Sequence, residues 1–496
     1  MNLRHSSSRP RARLEDFARP FHVKCEVTMK KLLCYAISFA TFAAALPLAR
    51  ADVISDHQGR WMGEMKVPHN GPTLKIGADL FLRSDGSPWA SFASPDQGVY
   101  DVPVSRIDQS ADKLELTLPF GLLKMRWEQD HFMGEYRQNG TAEWLPITFQ
   151  PVAQFPMRQR PQTPKAPFPY QEQTLAIPGA GGVTLGATLT LPDGQDTPTL
   201  AILVNGSGPA TRDEEFAEHR PFAVLADYLA RQGIAVLRYD KRGIGRSTGD
   251  YENHTQTELA QDLEALLLAM KARGQFARIG LVGHSEGSVL AAAVAARQPE
   301  ALAFLVSLAG PGQPGVQAML LQDRAYARDQ KARGPDLERL MRYVRQYYDT
   351  IVAEPEAAPR IAALKALQDR LPAADKALIK KYRMNVGTLS LEWAAKPFVR
   401  AILLSDPAAD WRRVRCPVLI LNGELDHQVP AAANLGGIVA ALRKGGNRKI
   451  EFARLPSLNH MFQTTKTGRE DEYASNEETI APAVMQRVAR FVSVQR

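Results

Sequence analysis

Gly283-His284-Ser285-Glu286-Gly287 follows the apolar run Ile279-Gly280-Leu281-Val282 and runs into a small-residue helical pattern from Ser288 to Arg297. Glycines on either side let a strand turn sharply into a helix around a serine with a strained backbone, so that its hydroxyl stands clear of the sheet. Five such residues can arise by chance. The strand before them and the helix after them make this stretch read as a nucleophile elbow.

Outward from the elbow the sequence alternates strands and helices. Strands are expected at 173–177, 183–191, 200–205, 234–239, 278–283, 303–308, 417–422 and 449–455, and helices at 222–231, 258–272, 432–442 and 482–494. Several of the strands are continuous apolar runs, as strands covered on both faces must be, and the helices supply the crossovers of a doubly wound α/β domain over 171–496. At about 312–406 the alternation gives way to helical sequence. Leu337, Leu340, Met341, Val344, Tyr347, Tyr348 and Ile351 share one face behind a Pro335-Asp336 start, which reads as a helical cap over the sheet's C-terminal edge.

Ahead of this domain, 151–170 carries six prolines and reads as an extended, semi-rigid spacer. Segment 52–150 holds short alternating runs broken by turns, such as Lys113-Leu-Glu-Leu-Thr-Leu and His131-Phe-Met-Gly-Glu-Tyr, and reads as a small antiparallel β-domain, a barrel or sandwich. Its tryptophans Trp61, Trp89 and Trp144 could meet a ligand, but large apolar residues in strands more often fill a core.

The first 51 residues are of another kind. Met29-Lys-Lys, an apolar stretch over 32–48 and Ala49-Arg50-Ala51 form a secretory signal, with cleavage expected after Ala51 and translation expected to start at Met29. Residues 1–51 hold nine basic and three acidic residues, so the net charge of +8 falls to about +2 in a mature chain with 52 basic and 50 acidic residues. That balance gives no reason to expect nucleic acid or an anionic membrane as partner. Only Cys416 remains after cleavage, which excludes an internal disulfide and suits a buried small apolar residue. The chain is expected to be periplasmic or secreted, with no integral membrane span.

A serine hydroxyl needs a base, and the base needs a third group to hold its tautomer. Asp426 sits in the loop Asn422-Gly-Glu-Leu-Asp-His after one buried strand, and His460 in Pro456-Ser-Leu-Asn-His after the last. Glu424 competes as the acid and His427 as the base, but His427 adjoins the acid inside the same loop. His284 is expected to face away from the serine. The oxyanion of a tetrahedral intermediate needs backbone donors: the N–H of Glu286, and one from Asn205-Gly206-Ser207-Gly208-Pro209, with Ser207 expected and Gly206 the alternative. Arg212 and Asp213 just beyond are expected to touch substrate or to brace this loop. Asp240 and Arg242 look functional by the density of their motif, but a charged loop rich in glycine is more often a structural turn. No metal-ligand spacing or dinucleotide fingerprint appears, so neither metal nor cofactor is expected.

These residues resemble the α/β-hydrolase superfamily, in which serine, acid and base follow in this chain order. They are more closely similar to bacterial esterases with a β-rich N-terminal domain. The likeness rests on Asn205-Gly-Ser-Gly-Pro, Arg212-Asp-Glu-Glu, Arg238-Tyr-Asp-Lys-Arg-Gly-Ile-Gly-Arg-Ser, Gly283-His-Ser-Glu-Gly, Asn422-Gly-Glu-Leu-Asp and Asn459-His. Two positions depart from it: Ser288 replaces a frequent second glycine, and Asn205 a frequent histidine. The resemblance implies hydrolysis of short acyl esters through an acyl-enzyme, with Ser285, Asp426 and His460 as triad and a small-molecule ester as partner. A peptidase or thioesterase on the same groups, or a non-catalytic envelope-binding protein, would share the fold.

Overall fold

The computed structural model describes residues 52–494 except 69–70, 159, 195–196 and 385–388, so the expected signal and its cleavage site lie outside the described residues. Nine strands come first: β1 (Gly59–Lys66), β2 (Thr73–Leu82), β3 (Pro88–Ser94), β4 (Val99–Pro103), β5 (Arg106–Gln109), β6 (Lys113–Leu118), β7 (Gly121–Glu128), β8 (His131–Gln138) and β9 (Leu145–Val152). They form one antiparallel sheet in the order β4-β3-β2-β1-β9-β8-β7-β6-β5. Alternation does the work here. Leu114, Leu116 and Leu118 of β6 point inward and the residues between them outward, and the sheet curls around the buried face. Its two edges meet at 104–105, where Val104 N–H donates to Ala90 O on β3 (3.3 Å) and Ser105 N–H to Thr117 O on β6 (2.9 Å). The result is a nearly closed barrel, which leaves little open strand edge. Trp61 packs edge-on against Phe132 inside it. Trp144 lies partly exposed beneath Lys124 and Arg137.

Eight more strands follow: β10 (Tyr170–Pro178), β11 (Thr184–Pro192), β12 (Thr199–Val204), β13 (Ile234–Tyr239), β14 (Arg278–His284), β15 (Phe304–Leu308), β16 (Val418–Gly423) and β17 (Ile450–Leu455). Their order is β10-β11-β13-β12-β14-β15-β16-β17, parallel from β13 onward, with β10 and β11 antiparallel. Strands β12 through β16 are buried almost throughout, which explains their unbroken apolar sequence. Helices Gln256–Ala272, Glu286–Arg297 and Ala431–Lys444 cover one face around one core, and Pro221–Arg231 and Pro482–Val494 cover the other. Thr255 opens the first of these with a capping box to Glu258. Cys416 is buried, and burial pushes its thiol up to about 12.

Between β15 and β16 the chain builds a helical layer from Gly315–Asp329 to Pro407–Trp411, with its own core around Val344, Tyr347, Tyr348 and Leu403. The long helix Gly334–Ala353 buries the face read from its sequence. The proline-rich segment read as a semi-rigid spacer is anchored to the hydrolase domain at Arg160 and Gln162. Arg160, almost wholly buried, donates to Ala217 O, Ala474 O and Asn476 O, and Gln162 bonds the backbone at Thr479 and Ile480. Proline spacing reports stiffness and carries no information on these distant partners. The barrel in turn touches the loop after β13: Arg83 donates to Gly243 O (3.0 Å), and Arg246 lies over Phe81 (4.9 Å).

Candidate active site

The elbow follows directly from its glycines. Ser285 has φ 50° and ψ −121°, and its N–H donates to Leu308 O at 2.8 Å, which fixes the strained turn between β14 and the helix Glu286–Arg297. A Cβ on Gly283 would stand 2.3 Å from Gly287 O, and one on Gly287 2.1 Å from Val204 O. Neither position admits a side chain. Ser288 replaces the second glycine without loss, because its hydroxyl donates to Gly283 O at 2.7 Å.

At the ends of β16 and β17 the loops bring Asp426 and His460 together, both buried. Asp426 Oδ2 lies 2.9 Å from His460 Nδ1 and accepts from Asn422 Nδ2 (2.9 Å), while Oδ1 accepts from the N–H groups of Gln428 (2.9 Å) and Val429 (2.7 Å). The carboxylate is therefore fixed by donors and directs the ring, so that Nδ1 carries a proton and Nε2 is the basic nitrogen. Ser285 and His460 line the same cavity. The competitors go elsewhere. Glu424 pairs with Arg454, and His427 Nδ1 meets Asp329 Oδ2 at 2.8 Å at the end of a cap helix.

The loop after β12 carries the other half of the site. Gly206 N–H is already spent, donating to Glu214 Oε1 at 2.5 Å, which removes Gly206 as the alternative oxyanion donor. Among the described residues neither Ser207 N–H nor Glu286 N–H meets a protein acceptor, and Ser207, Glu286 and Ser285 share one cavity wall. Lys241, buried, donates to Gly206 O at 2.5 Å and lies 3.2 Å from Glu286 Oε2. Burial works against the Glu286 carboxylate, but Lys241 and Gln256 outweigh it and hold its pKa below the usual range. That carboxylate thus braces the elbow against the oxyanion loop.

Three expectations are corrected by contacts that sequence does not display. Arg212 turns from the cavities to clamp Asp240, with Nε 3.0 Å from Oδ1 and Nη2 2.6 Å from Oδ2, and Asp213 pairs with Arg238. Both are braces of the β11–β13 edge. His284 does not face away: its ring lies 4.9 Å from that of His460, its Nδ1 3.0 Å from Glu214 Oε1 and its Nε2 3.2 Å from His460 O. Glu214 is the functional neighbour that the sequence reading passed over. It stands in the quoted Arg212-Asp-Glu-Glu run, but only the fold shows that its side chain reaches Gly206 and His284.

Two cavities open on Ser285. One, of about 940 Å³, runs between the hydrolase loops and the barrel, with Arg83, Trp89, Tyr100 and Asp101 on the barrel side and His460, Met461 and Tyr473 opposite. The other, of about 680 Å³, runs under the cap, lined by Val289, Met319, Trp393, Phe398 and Ile402.

Eight strands in this order, a serine on a strand-to-helix elbow and an Asp–His pair on the loops after the last two strands define an α/β-hydrolase. The chain belongs to the family described as serine aminopeptidase, S33, whose profile matches residues 216–465. Esterase EstD of Thermotoga maritima is 28% identical over 153 residues, 31% of this chain and 35% of that protein, so the chain spans about a third of that relative's length. Among solved structures, Est1E from Butyrivibrio proteoclasticus with ferulic acid bound is similar at 18% identity over 65% of this chain and 98% of that one, with a TM-score of 0.39. The Pyrococcus furiosus esterase Pf2001 is 16% identical over 69% and 99%, with a TM-score of 0.39. A Mycobacterium smegmatis proline iminopeptidase is 17% identical over 65% and 98%, with a TM-score of 0.41.

Proposed function

We propose that the protein hydrolyses carboxylic esters of short acyl groups through an acyl-enzyme on Ser285. His460 Nε2 takes the Ser285 proton as Oγ bonds to the carbonyl carbon, and the carbonyl oxygen becomes an oxyanion held by the amides of Ser207 and Glu286. His460 then returns the proton to the alkoxide as the C–O bond breaks. Water, activated by the same nitrogen, releases the acid and restores the serine. Asp426 holds the ring and offsets the imidazolium charge.

The observation that carries this reading is the buried 2.9 Å contact between Asp426 and His460 beside a serine on a strained elbow, in one cavity. A binding protein gains nothing from so costly an arrangement. The ester rather than the amide is favoured by the sequence likeness to esterases and by the printed name of the Thermotoga relative; the family's printed description favours a peptidase. Fluorophosphonate labelling followed by mass spectrometry tests the nucleophile. Parallel assays with p-nitrophenyl acetate, an acyl-CoA and aminoacyl anilides then separate ester, thioester and amide. Absence of an adduct on Ser285 would sink the hydrolase reading.

We further propose that the chain acts outside the cytoplasm, on the strength of the basic, apolar and Ala49-Arg50-Ala51 pattern. Among the described residues no helix is long and apolar enough to cross a membrane. N-terminal sequencing of the exported protein, with Asp52 expected first, tests the cleavage site.

A further inference from the structure

An ester has two halves, and the position of the base decides which half goes where. His460 must protonate the leaving oxygen, so the alcohol departs on the His460 side of Ser285 and the acyl group lies on the other. Both cavities reach Ser285. His460 is a wall of the barrel-side cavity and, among the described residues, not of the cap-side one, which instead holds Glu286, while Ser207 lines both.

We propose, resting on the ester-hydrolase reading, that the cap-side cavity takes the acyl group and that the N-terminal barrel builds the subsite for the leaving alcohol, a neutral polyhydroxyl alcohol of sugar size. The cap side is walled by Val289, Met319, Phe398 and Ile402, apolar side chains suited to an acyl chain. The barrel side is the more polar of the two. Several of its charged groups have partners within the protein: Glu214 meets His284, Glu252 meets Lys396, and Arg106 meets Asp108. Asp250 accepts from Asn253 and from the N–H of Glu252. Arg83 lies over Trp89 at 4.5 Å. Asp101 of the barrel and Glu215 of the hydrolase loop both line this cavity, and burial raises the pKa of both carboxyls. Carboxyl groups already bonded within the protein leave little to hold a cation, whereas carboxyl, guanidinium and phenol groups around about 940 Å³ fit several hydroxyls on one molecule.

The experiment uses the mature protein and esters that share an acyl group. Methyl butyrate and 6-O-butyryl methyl glucoside give the same acyl-enzyme, so a difference in kcat/KM reports the alcohol half, and its change in a variant reports the alcohol subsite. The wild type should prefer the glucoside by about tenfold or more, and treat butyrylcholine no better than the methyl ester. D101G, which suits the positive φ of 50° at this position and removes the carboxyl, should erase most of that preference. A318W, in the cap-side wall, should lower octanoate relative to acetate and leave the alcohol preference in place. Equal rates for the methyl and glucosyl esters in the wild type would overturn the proposal without any variant, as would a preference for butyrylcholine or a loss of alcohol preference in A318W. Failure of the underlying reading looks different, since then no ester of the set is cleaved and Ser285 takes no phosphonate.

Discussion

His284 Nδ1 lies 3.0 Å from the Glu214 carboxylate, and the other ring nitrogen of His284 lies 3.2 Å from the carbonyl oxygen of His460. A carboxylate and a carbonyl both accept, so both nitrogens of His284 carry protons and the ring is an imidazolium. Burial opposes that charge, but Glu214 overcomes it and raises the His284 pKa above its ordinary value. Glu214 also takes the Gly206 amide, so a single carboxylate fixes the oxyanion loop and, through His284, the backbone of the base. E214Q should therefore lower kcat by about tenfold with little change in KM, less than the full loss of an oxyanion donor, about 2.7–4 kcal/mol. Imidazole nitrogen shifts should show His284 losing a proton in that variant at neutral pH. An unchanged kcat would show that the loop holds its place without Glu214.

Asp426 is surrounded by donors and bonds His460 Nδ1, so its removal strikes the tautomer of His460. D426N should keep the fold and lower kcat by about 10⁴, with slow residual fluorophosphonate labelling of Ser285. S285A should abolish the label. Equal rates for wild type and D426N would move the acid's role to Glu424 or elsewhere.

The elbow, the eight-strand alternation, Asp426 and His460 were legible in the sequence because each is a local signal: a glycine that excludes a Cβ, an apolar run covered on both faces, a short loop at a strand's end. The long cap helix was legible for the same reason, its apolar face repeating along one segment. What stayed hidden depends on partners far along the chain. Arg212 and Asp213 look like exposed loop charges until β11 and β13 carry Thr188, Arg238 and Asp240 beside them. Arg160 looks like part of a linker until Ala474 and Asn476 bring two carbonyls to its guanidinium and Ala217 a third. No pattern in 52–150 shows that Trp89 and Asp101 wall the cavity of Ser285, since strand alternation fixes a face but not what the barrel leans against.

The Arg212–Asp240 clamp separates bracing from binding. Asp240 is almost wholly buried, and removing its guanidinium partner breaks a buried pair, which costs about 3 kcal/mol. R212A should lower the midpoint of thermal unfolding by several degrees, with KM unchanged for the protein that remains folded. A large rise in KM with unaltered stability would return Arg212 to the substrate.

Asp101 and Glu215 give the junction between barrel and hydrolase domain a pH dependence of defined sign. Burial pushes Glu215 up to about 8, with Asp101 adding to the shift and Arg220 opposing it, and Asp101 is itself raised by burial. From its ordinary value of 4.5 up to about 8 the unfolded chain has released the Glu215 proton while the folded chain retains it. Stability must then fall as pH rises through that window, because the folded state binds more protons. E215Q carries no proton to lose. Between pH 5 and pH 8 the wild-type unfolding midpoint should drop more than that of E215Q, and the two curves should lie closest at the acid end. Parallel curves across this range would mean that Glu215 is ionised in the folded protein, held by Arg220 alone.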